Sequence, residues 1–402
     1  MKILLAHNFY DSASPSGENQ VYAIERALLR TRGHEVAEFS RHSDEILRQG
    51  VWGLLRGALA TPWNPWMAAR IRRRVEEFQP DVVHVHNTFP LLSPAIFHAI
   101  GSRSARVLTL HNYRLFCPAA SPIRRDNIIC TKCLDQHSVL PSIRHGCYRW
   151  SRTATVPLAV NVALHRFLQT WQQQVDAFIA LTEFQRQLMI QAGLPVDRVF
   201  VKPNFFPGNP ALVDWSQREN VVVFAGRLSE EKGVETLVSA WAQWGRKAPE
   251  LRVLGDGPLR QQLERLAAGA PIKFMGQTTS AVAQSQIARA KLLILSSECF
   301  ECFPMVIREA FAFGTPAAVT DVGPLPLIVQ HGENGVVFKA QDAGALISEV
   351  SKAWLAPGML ERLGAQARRS FELLYTEKAT YHLLMEVYEK AVARSRSLRG
   401  RQ

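Results

Sequence analysis

Short runs of apolar, mostly β-branched residues alternate along this chain with longer stretches in which apolar residues recur every three or four positions. The short runs predict strands and the longer stretches predict helices. In the first half the predicted strands lie at 2–7, 35–40, 82–86, 106–111, 178–182 and 198–201. In the second half they lie at 221–227, 251–255, 272–275, 292–296, 317–320 and 336–339. Helical patterns between them, such as 17–31, 234–246 and 259–268, indicate parallel βαβ units and the α/β fold class.

A stretch rich in Pro, Gly and Asn at 204–220 separates the two series and predicts an inter-domain linker. A chain of 402 residues is also too long for one ordinary core. We therefore expect two Rossmann-like, doubly wound domains, 1–205 and 206–375, which bind ligands at the carboxyl ends of their strands. A last helical pattern in 376–402 has Tyr381, Leu384, Tyr388 and Ala391 on one face. It could pack on either domain, and we expect the N-terminal one.

The amino-acid composition favours a globular protein that attracts anions. Hydrophobic residues make up 47% of the chain and charged residues 20%, which is typical of a globular protein. No apolar run reaches about 18 residues, and the N-terminus lacks a small-residue cleavage site, so we expect a cytoplasmic protein. The net charge of +12 predicts attraction to anions. Nucleic acid is not an expected partner, because no recognised module or basic stripe with stacking aromatics is present.

Two loops in the second half carry groups suited to a diphosphate. The sequence GRLSEEKGVETL places Arg227 and Lys232 around the start of a helix, where two cations and backbone N–H groups could hold phosphate oxygens. The alternative is an ordinary solvated helix start. The GDGP turn at 255–258 allows a close backbone approach but lacks the third glycine of a dinucleotide fingerprint.

The stretch SECFECFPMVIREAFAFGTP, 297–316, contains two carboxylates that stability does not explain. Glu301 follows a predicted strand, and Pro304 suits the first turn of a helix. The N–H groups of Met305 and Val306 would point the same way as Glu301. An acid near a helix start is ordinary dipole complementation, but that does not account for Glu309 further along.

Taken together, these motifs resemble the retaining nucleotide-sugar glycosyltransferases of family GT4, which have the GT-B fold. The resemblance includes E301-x7-E309, the GTP at 314–316, and, in the first half, HNFYDSASPSGENQVYAIERALLRTRGHEV, VVHVHNTFPLLSP and LTLHNYR. It covers nearly the whole chain in the family's order. It implies two Rossmann-like domains facing each other across a cleft.

The resemblance also implies roles for individual residues. On the donor side, Arg227 and Lys232 would hold the diphosphate, Glu301 would bind sugar hydroxyls and offset positive charge at the anomeric carbon, and Glu309 would take the ribose hydroxyls. The remaining positions would contact the donor through backbone or side chain: Phe303, Met305, Val306, His111, Gly17 and Asn204. His111 would reach the sugar from the N-terminal domain. The family's acceptors are glycans or lipid-linked molecules, and no cofactor is required for catalysis.

Two mechanisms are compatible with these residues. No general base is evident near Glu301, which fits a same-face reaction in which the leaving phosphate takes the acceptor's proton. A double displacement with Glu301 as nucleophile is the rival. Other functions on the same fold are a sugar-nucleotide epimerase, a glycan phosphorylase and a non-catalytic binding protein. An epimerase would need a titratable base over the sugar ring, which we cannot assign. A glycan phosphorylase would need a longer chain.

The sequence departs from the family pattern in two places. The family's glycine loop commonly has two adjacent glycines, and here the first is Ser16, whose side chain would narrow the space near the phosphates. Cys299 and Cys302 flank Glu301 with the spacing C-x2-C. With no second such pair nearby, they are expected to be packing residues.

Four other cysteines lie in a block, 117–152, in which no strand or helix is evident. Cys117, Cys130, Cys133 and Cys147 could close a tetrahedral, structural zinc site that orders this insertion. The alternatives are reduced thiols and disulfides, of which disulfides are less expected in a reducing compartment.

The segment 48–78 interleaves Trp52, Trp63 and Trp66 with Arg56, Arg70 and the run 72–74. This composition suits a helix lying on an anionic membrane surface. The alternative is a core helix with buried Trp and solvated Arg residues. We expect peripheral contact with the inner face of the membrane.

Overall fold

A computed structural model describes residues 1–10, 16–123 and 128–399. The chain forms two compact units. The first contains most of the chain up to Pro203 together with the residues from Thr380 onward, and the second contains Asn204–Ala379.

The first unit is built on a parallel sheet of six strands in the described part of the chain, in the order β2-β1-β3-β4-β5-β6. Its strands are β1 Lys2–Phe9, β2 Glu35–His42, β3 Val82–Asn87, β4 Ala105–Thr109, β5 Ala177–Ala180 and β6 Val199–Val201. Its helices are α1 Gly17–Thr31, α2 Asp44–Leu47, α3 Gly50–Ala60, α4 Pro65–Phe78, α5 Ala95–Ile100, α6 Lys132–Asp135, α7 Leu140–His145, α8 Arg152–Phe167, α9 Thr170–Gln174 and α10 Glu183–Gln191.

The second unit repeats this plan, with six described parallel strands in the order β12-β11-β10-β7-β8-β9. Its strands are β7 Glu219–Ala225, β8 Glu250–Leu254, β9 Ile272–Gly276, β10 Ala290–Leu295, β11 Ala317–Thr320 and β12 Gly335–Phe338. Its helices are α11 Val234–Trp244, α12 Arg260–Leu266, α13 Ser280–Arg289, α14 Met305–Ala312, α15 Leu325–Ile328, α16 Ala343–Leu355 and α17 Met359–Leu374, and the chain ends in α18 Glu377–Arg399.

Both sheets are covered on two faces, which explains why their central strands are nearly continuous apolar runs. Strands β3 and β10 are buried along almost their whole length. The last helix, α18, contributes Leu384, Val387, Tyr388 and Ala391 to the core of the first unit. None of the helices in the described ranges is both long and apolar enough to cross a membrane.

The predicted α/β class with two Rossmann-like domains is confirmed, and each predicted strand is present. One prediction about local structure is wrong. The block 117–152 contains two short helices, α6 and α7, and α8 begins at Arg152. The sequence pattern missed α6 and α7 because helices of four and six residues are too short to show a clear apolar period.

Candidate functional site

In the second unit, the loop after β7 is held tightly against the loop after β10. Gly233 adopts a left-handed conformation with φ of +60°, and a Cβ there would lie 2.0 Å from the Ser296 carbonyl oxygen. Only glycine permits both this conformation and this approach. Ser296 donates a hydrogen bond to the Lys232 carbonyl at 2.8 Å. The carboxyl ends of β7 and β10 therefore form one continuous rim.

This rim brings Lys232 and Glu301 together. The Lys232 Nζ lies 2.5 Å from Glu301 Oε1, and Ser297 donates to the same oxygen at 2.6 Å. The Ser297 carbonyl in turn accepts a hydrogen bond from Thr320 at the end of β11. Three loops thus position one carboxylate and one ammonium group.

Both members of the pair are charged at neutral pH. Burial by itself would raise the pKa of Glu301, but the Lys232 ammonium and the hydrogen bonds from Lys232 and Ser297 hold it below its ordinary value. Burial likewise opposes the charge of Lys232, and the Glu301 carboxylate outweighs it and raises the Lys232 pKa. The lysine side chain keeps 25% of its surface exposed, so it can reach a ligand.

Helix α14 begins directly after this pair, with Pro304 as its N-cap. The N–H groups of Met305 and Val306 have no acceptor within the helix because they are in its first turn. Asn204 approaches this turn and donates from Nδ2 to the Met305 sulphur at 3.5 Å. Its Oδ1 is buried and has no hydrogen-bond partner in the described chain. Phe303 is buried against Tyr375.

Glu309 lies one turn further along α14. Burial raises the pKa of its carboxyl group, against the opposing effects of the Arg308 charge and a hydrogen bond from Gln284. The Arg308 side chain is buried, with its guanidinium over the Phe206 ring, and burial lowers its pKa to about 10. The two carboxylates of the E301-x7-E309 motif therefore differ, since Glu301 is paired with an ammonium group and Glu309 is mainly desolvated.

Arg227 is exposed and forms no ion pair among the described residues. Its loop is fixed in place because Leu228 N–H donates to the Asp256 carbonyl at 3.0 Å, and a Cβ on Gly257 would collide with Leu228. The structure therefore places Arg227 on the rim but does not join it to Lys232 or Glu301. Cys299, beside Glu301, is buried.

In the first unit, a line of contacts runs through the buried side chains of Lys202, Glu25 and His86 and ends at His111. The His86 Nδ1 lies 3.0 Å from His111 Nε2, and the other His86 nitrogen lies 3.3 Å from Glu25 Oε1. The second Glu25 oxygen accepts a hydrogen bond from Lys202 at 2.8 Å. Glu25 and Lys202 are 1% and 2% exposed, so this is a buried ion pair.

Burial and the neighbouring charges determine the protonation state of each residue in this line. Burial opposes ionisation of Glu25, but Lys202, His84 and His86 hold its pKa well below its ordinary value. Burial and the neighbouring His84 lower the pKa of His86 to about 4, and burial with His86 and His7 lowers that of His111 as well. Both imidazoles are neutral at pH 7.

Glu25, His84 and His86 have ligand atoms within 4.8 Å of one another, as in a metal site. The Lys202 ammonium already supplies positive charge to Glu25, and Tyr388 lies 2.8 Å from the His84 Nδ1. The trio is therefore held by hydrogen bonds to Lys202 and Tyr388 and by a close His86–Glu25 contact that does not have hydrogen-bond geometry. Sequence reasoning missed Glu25 and Lys202, and an acid within an apolar helical stretch was the one available signal.

The start of α1 lies beside the His111 loop. Gly17 is the first residue of this helix and is exposed, and Ser16 precedes it in an extended conformation. Asn112, next to His111, donates to Glu18 Oε1 at 2.9 Å. The loop 11–15 before Ser16 lies outside the described residues.

The four cysteines of the block 117–152 lie around one small cavity. All six cysteines lie in the described part of the chain, and none of them forms a disulfide bond. The predicted disulfide alternative is therefore not present.

The predicted core-helix alternative for the segment 48–78 is wrong for its first helix. In α3, Trp52 is 80% exposed and Leu59 is 79% exposed, and in α4 Trp66 is 63% exposed. Arg56 and Arg70 are exposed in the same two helices. Trp63, between the two helices, is 36% exposed and also stacks on His165.

Two family models match the chain. Residues 17–207 match Glycosyltransferase Family 4, and residues 211–370 match Glycosyl transferases group 1. The matches cover the parts of the two units that carry the residues described above.

Relatives and solved structures agree with these matches. The chain is 31% identical over 202 residues to an exopolysaccharide phosphotransferase of Streptomyces coelicolor, covering 48% of this chain but only 21% of the relative. It is 22% identical over 325 residues to N-acetyl-alpha-D-glucosaminyl L-malate synthase of Bacillus anthracis, covering 79% of this chain and 77% of the relative. The crystal structure of HepE from Anabaena in complex with UDP is similar in fold, with a TM-score of 0.67, 19% identity, and coverage of 97% of this chain and 100% of HepE. The chain therefore belongs to the family 4, group 1 glycosyltransferases.

Proposed function

We propose that this chain is a retaining glycosyltransferase that moves a sugar from a nucleoside-diphosphate sugar to a glycan or lipid-linked acceptor. The observation that carries the proposal is the Lys232–Glu301 pair beside the first turn of α14. It combines a cation, a carboxylate and unpaired N–H groups at one sheet edge. Structures of HepE have been solved with UDP and with UDP-glucose, which supports a nucleotide-sugar donor.

Each group on the rim has a role in this reaction. Lys232 and Arg227 bind the diphosphate, together with the N–H groups at the start of α14. Glu309 accepts hydrogen bonds from the two ribose hydroxyls. The unpartnered Oδ1 of Asn204 accepts one from a donor hydroxyl.

In the chemical step, the bond between the anomeric carbon and the phosphate oxygen breaks, and a bond to the acceptor oxygen forms on the same face. The acceptor's proton passes to the leaving phosphate oxygen. Lys232 stabilises the negative charge of the leaving group, so the reaction needs no divalent cation. Because Lys232 lies 2.5 Å from Glu301, the carboxylate is partly neutralised and is a weaker nucleophile. This contact supports the same-face reaction over the double displacement.

The line from Glu25 assigns a proton pattern to His111. The ionised Glu25, whose Oε1 lies 3.3 Å from His86 Nε2, favours a proton on that nitrogen and leaves His86 Nδ1 as an acceptor. His111 Nε2 must then carry the proton of the hydrogen bond between the two rings. His111 Nδ1 is left with its lone pair and accepts a hydrogen bond from a sugar hydroxyl.

The test is nucleotide release by the full chain from a panel of UDP-, GDP- and ADP-sugars, with the product's anomeric configuration read by NMR. We expect release from one donor, retention of configuration, and no dependence on added Mg²⁺ or Mn²⁺. Lys232→Met should lower the rate about 10²- to 10³-fold, since a preorganised electrostatic group contributes roughly 3 kcal/mol. Lys352→Met, an exposed lysine of α16, is the matched control. Inversion, or equal rates for the two variants, would overturn the proposal.

We further propose that the exposed face of α3 and the start of α4 rests on an anionic lipid surface at the cytoplasmic side of the membrane. Trp52, Leu55 and Leu59 present apolar area to solvent, and Arg56 is exposed among them. Exposed Trp and Leu beside Arg suit the headgroup region, and the net charge of +12 favours anionic lipid. A membrane-bound location supports a lipid-linked acceptor.

Co-sedimentation with vesicles tests this surface. We expect binding to phosphatidylglycerol vesicles, weaker binding to phosphatidylcholine vesicles, and loss of binding in the double variant Trp52→Ser, Leu59→Ser. The matched control is Leu355→Ser, since Leu355 is 76% exposed on α16. A concentration-dependent dimer that is abolished by the double variant, without vesicle binding, would instead assign the face to a second copy of the chain.

A further inference from the structure

The segment that follows His111 gathers four of the six cysteines around one cavity. Cys117, Cys130, Cys133 and Cys147 all contribute to its lining. They come from three different places in the segment: the loop after β4, the turn that opens α6, and the turn after α7. Their convergence is a result of folding, because the sequence spacing alone does not bring Cys117 near Cys147.

Local hydrogen bonds hold each cysteine in its position. Cys117 N–H donates to the Tyr113 carbonyl at 2.9 Å, and Cys130 N–H donates to the Pro122 carbonyl at 3.0 Å. Cys147 N–H donates to the Ser142 carbonyl at 3.0 Å, following a left-handed Gly146. The backbone therefore fixes three of the four cysteines beside the cavity, and the fourth, Cys133, is buried on α6 and lines the same cavity.

The part of the chain that carries these cysteines has little regular structure of its own in the described residues. No disulfide joins any of the four cysteines, all of which lie in the described residues. The segment's own helices have only four and six residues, so a small core and hydrogen bonds hold it in place. A cation at the centre would stabilise thiolates and tie the three parts together.

We propose that Cys117, Cys130, Cys133 and Cys147 bind one structural Zn²⁺ as thiolates. Four sulphurs complete a tetrahedron and leave no position for a substrate, so this ion is separate from the transfer reaction. Its function is to fix the segment that directly follows His111 and Asn112. The proposal does not depend on the proposed donor chemistry.

Zinc binding should draw the segment inward. A tetrahedron with Zn–S bonds of about 2.3 Å has sulphurs about 3.8 Å apart. Among the described residues, the one trio of His, Cys, Asp or Glu ligand atoms within 4.8 Å of one another is Glu25, His84 and His86. The thiols thus surround the cavity at wider separations. His145 lines the same cavity and is the alternative fourth ligand.

The first experiment measures the metal content of the full chain by elemental mass spectrometry. The chain is purified under reducing conditions. We expect about one zinc per chain, released by a mercurial reagent that titrates thiolates. Cys133→Ser should reduce the zinc content at least tenfold, whereas Cys302→Ser in the second unit should retain it. Loss of zinc in His145→Ala but not in Cys147→Ser would overturn the four-thiolate assignment.

A second measurement covers the case in which Cys133→Ser does not fold. The wild-type chain is stripped with a chelator under reducing conditions and then given Co²⁺ alone. We expect the absorption bands of tetrahedral thiolate-bound cobalt, together with increased proteolysis of 112–151 in the stripped protein that zinc reverses. Absence of zinc in the purified chain, with no thiolate–cobalt bands in a folded protein, would overturn the proposal.

Discussion

The two units share one plan, a six-stranded parallel sheet in the described chain, yet they place charge differently at its carboxyl edge. In the second unit, the Lys232–Glu301 pair stands on the rim and remains partly exposed. In the first unit, the Glu25–Lys202 pair is almost completely buried, and the neutral His111 follows the carboxyl end of β4. The same fold thus supports an ionic site and a neutral one.

The difference gives the proposed function a physical basis that can be tested. Under that proposal, a diphosphate needs cations that it can reach, and the partly exposed Lys232 would supply one. A sugar hydroxyl needs an oriented neutral acceptor, and His111 would supply it, with the buried Glu25–Lys202 pair acting on His86 beside it.

The largest effect is expected when the buried pair is broken. Glu25→Gln would leave the Lys202 ammonium buried without its carboxylate, which should lower the free energy of unfolding by about 3–5 kcal/mol. Glu38→Gln is the control, because its pairs with Arg26 and Arg30 are more exposed and worth about 1 kcal/mol or less. Urea denaturation measures both. Equal losses in the two variants would contradict the comparison, and the double variant Glu25→Gln, Lys202→Met should recover part of the stability.

The next effect concerns the rim pair and should appear in catalysis. Under the proposed function, Glu301→Gln removes the charge that would offset the positive anomeric carbon, so the turnover rate should fall about 10²- to 10³-fold. Stability should change little because Lys232 is partly solvated. Steady-state assays measure the turnover rate. Glu264→Gln, which changes an exposed acid on α12, is the control. A large loss of stability with an unchanged rate would reverse the roles assigned to the two pairs.

The stability of the two units should depend differently on pH. His7, His86 and His165 have pKa values lowered by burial to about 3, 4 and 4, whereas the unfolded chain protonates them near 6.5. The unfolded state therefore binds more protons, and the free energy of unfolding falls as pH drops from 6.5 towards 4. The loss is up to about 1.4 kcal/mol per pH unit for each histidine.

Glu301 behaves differently, because its lowered pKa gives stability that is lost only below about 4.5, its unfolded value. Hydrogen exchange resolved by unit, at pH 7, 6 and 5, should thus show the first unit opening before the second. Simultaneous opening, or earlier opening of the second unit, would show that the buried histidines do not set the acid response.

The smallest effect on turnover is expected from the hydrogen bond that Ser297 donates to Glu301 on the rim. Ser297→Ala removes one hydrogen bond to Glu301, worth about 1 kcal/mol, and should reduce turnover about fivefold. Ser351→Ala, on the surface of α16, should leave it unchanged. Initial rates at saturating donor provide the measurement. A loss as large as that of Glu301→Gln would mean that Ser297 itself contacts the substrate.

The sequence predicted the sheets well because each strand is a distinct apolar run between turn residues. It could not predict which side chains meet. Lys232 and Glu301 are 69 positions apart, and Lys202 and Glu25 are 177 apart, so both pairs depend on tertiary packing. The family resemblance did imply that Lys232 and Glu301 both serve the donor, but it did not predict their ion pair. The second follows no motif, and Glu25 has the same sequence signature as any helix acid.

The placement of α18 has a consequence for synthesis on the ribosome. Tyr388 lies in the core of the first unit and reaches His84, although it follows the whole second unit in the sequence. The first unit is thus completed only after the second unit has been translated. The nascent chain must carry an unfinished core while the whole second unit emerges, and we expect chaperones to engage it during that interval.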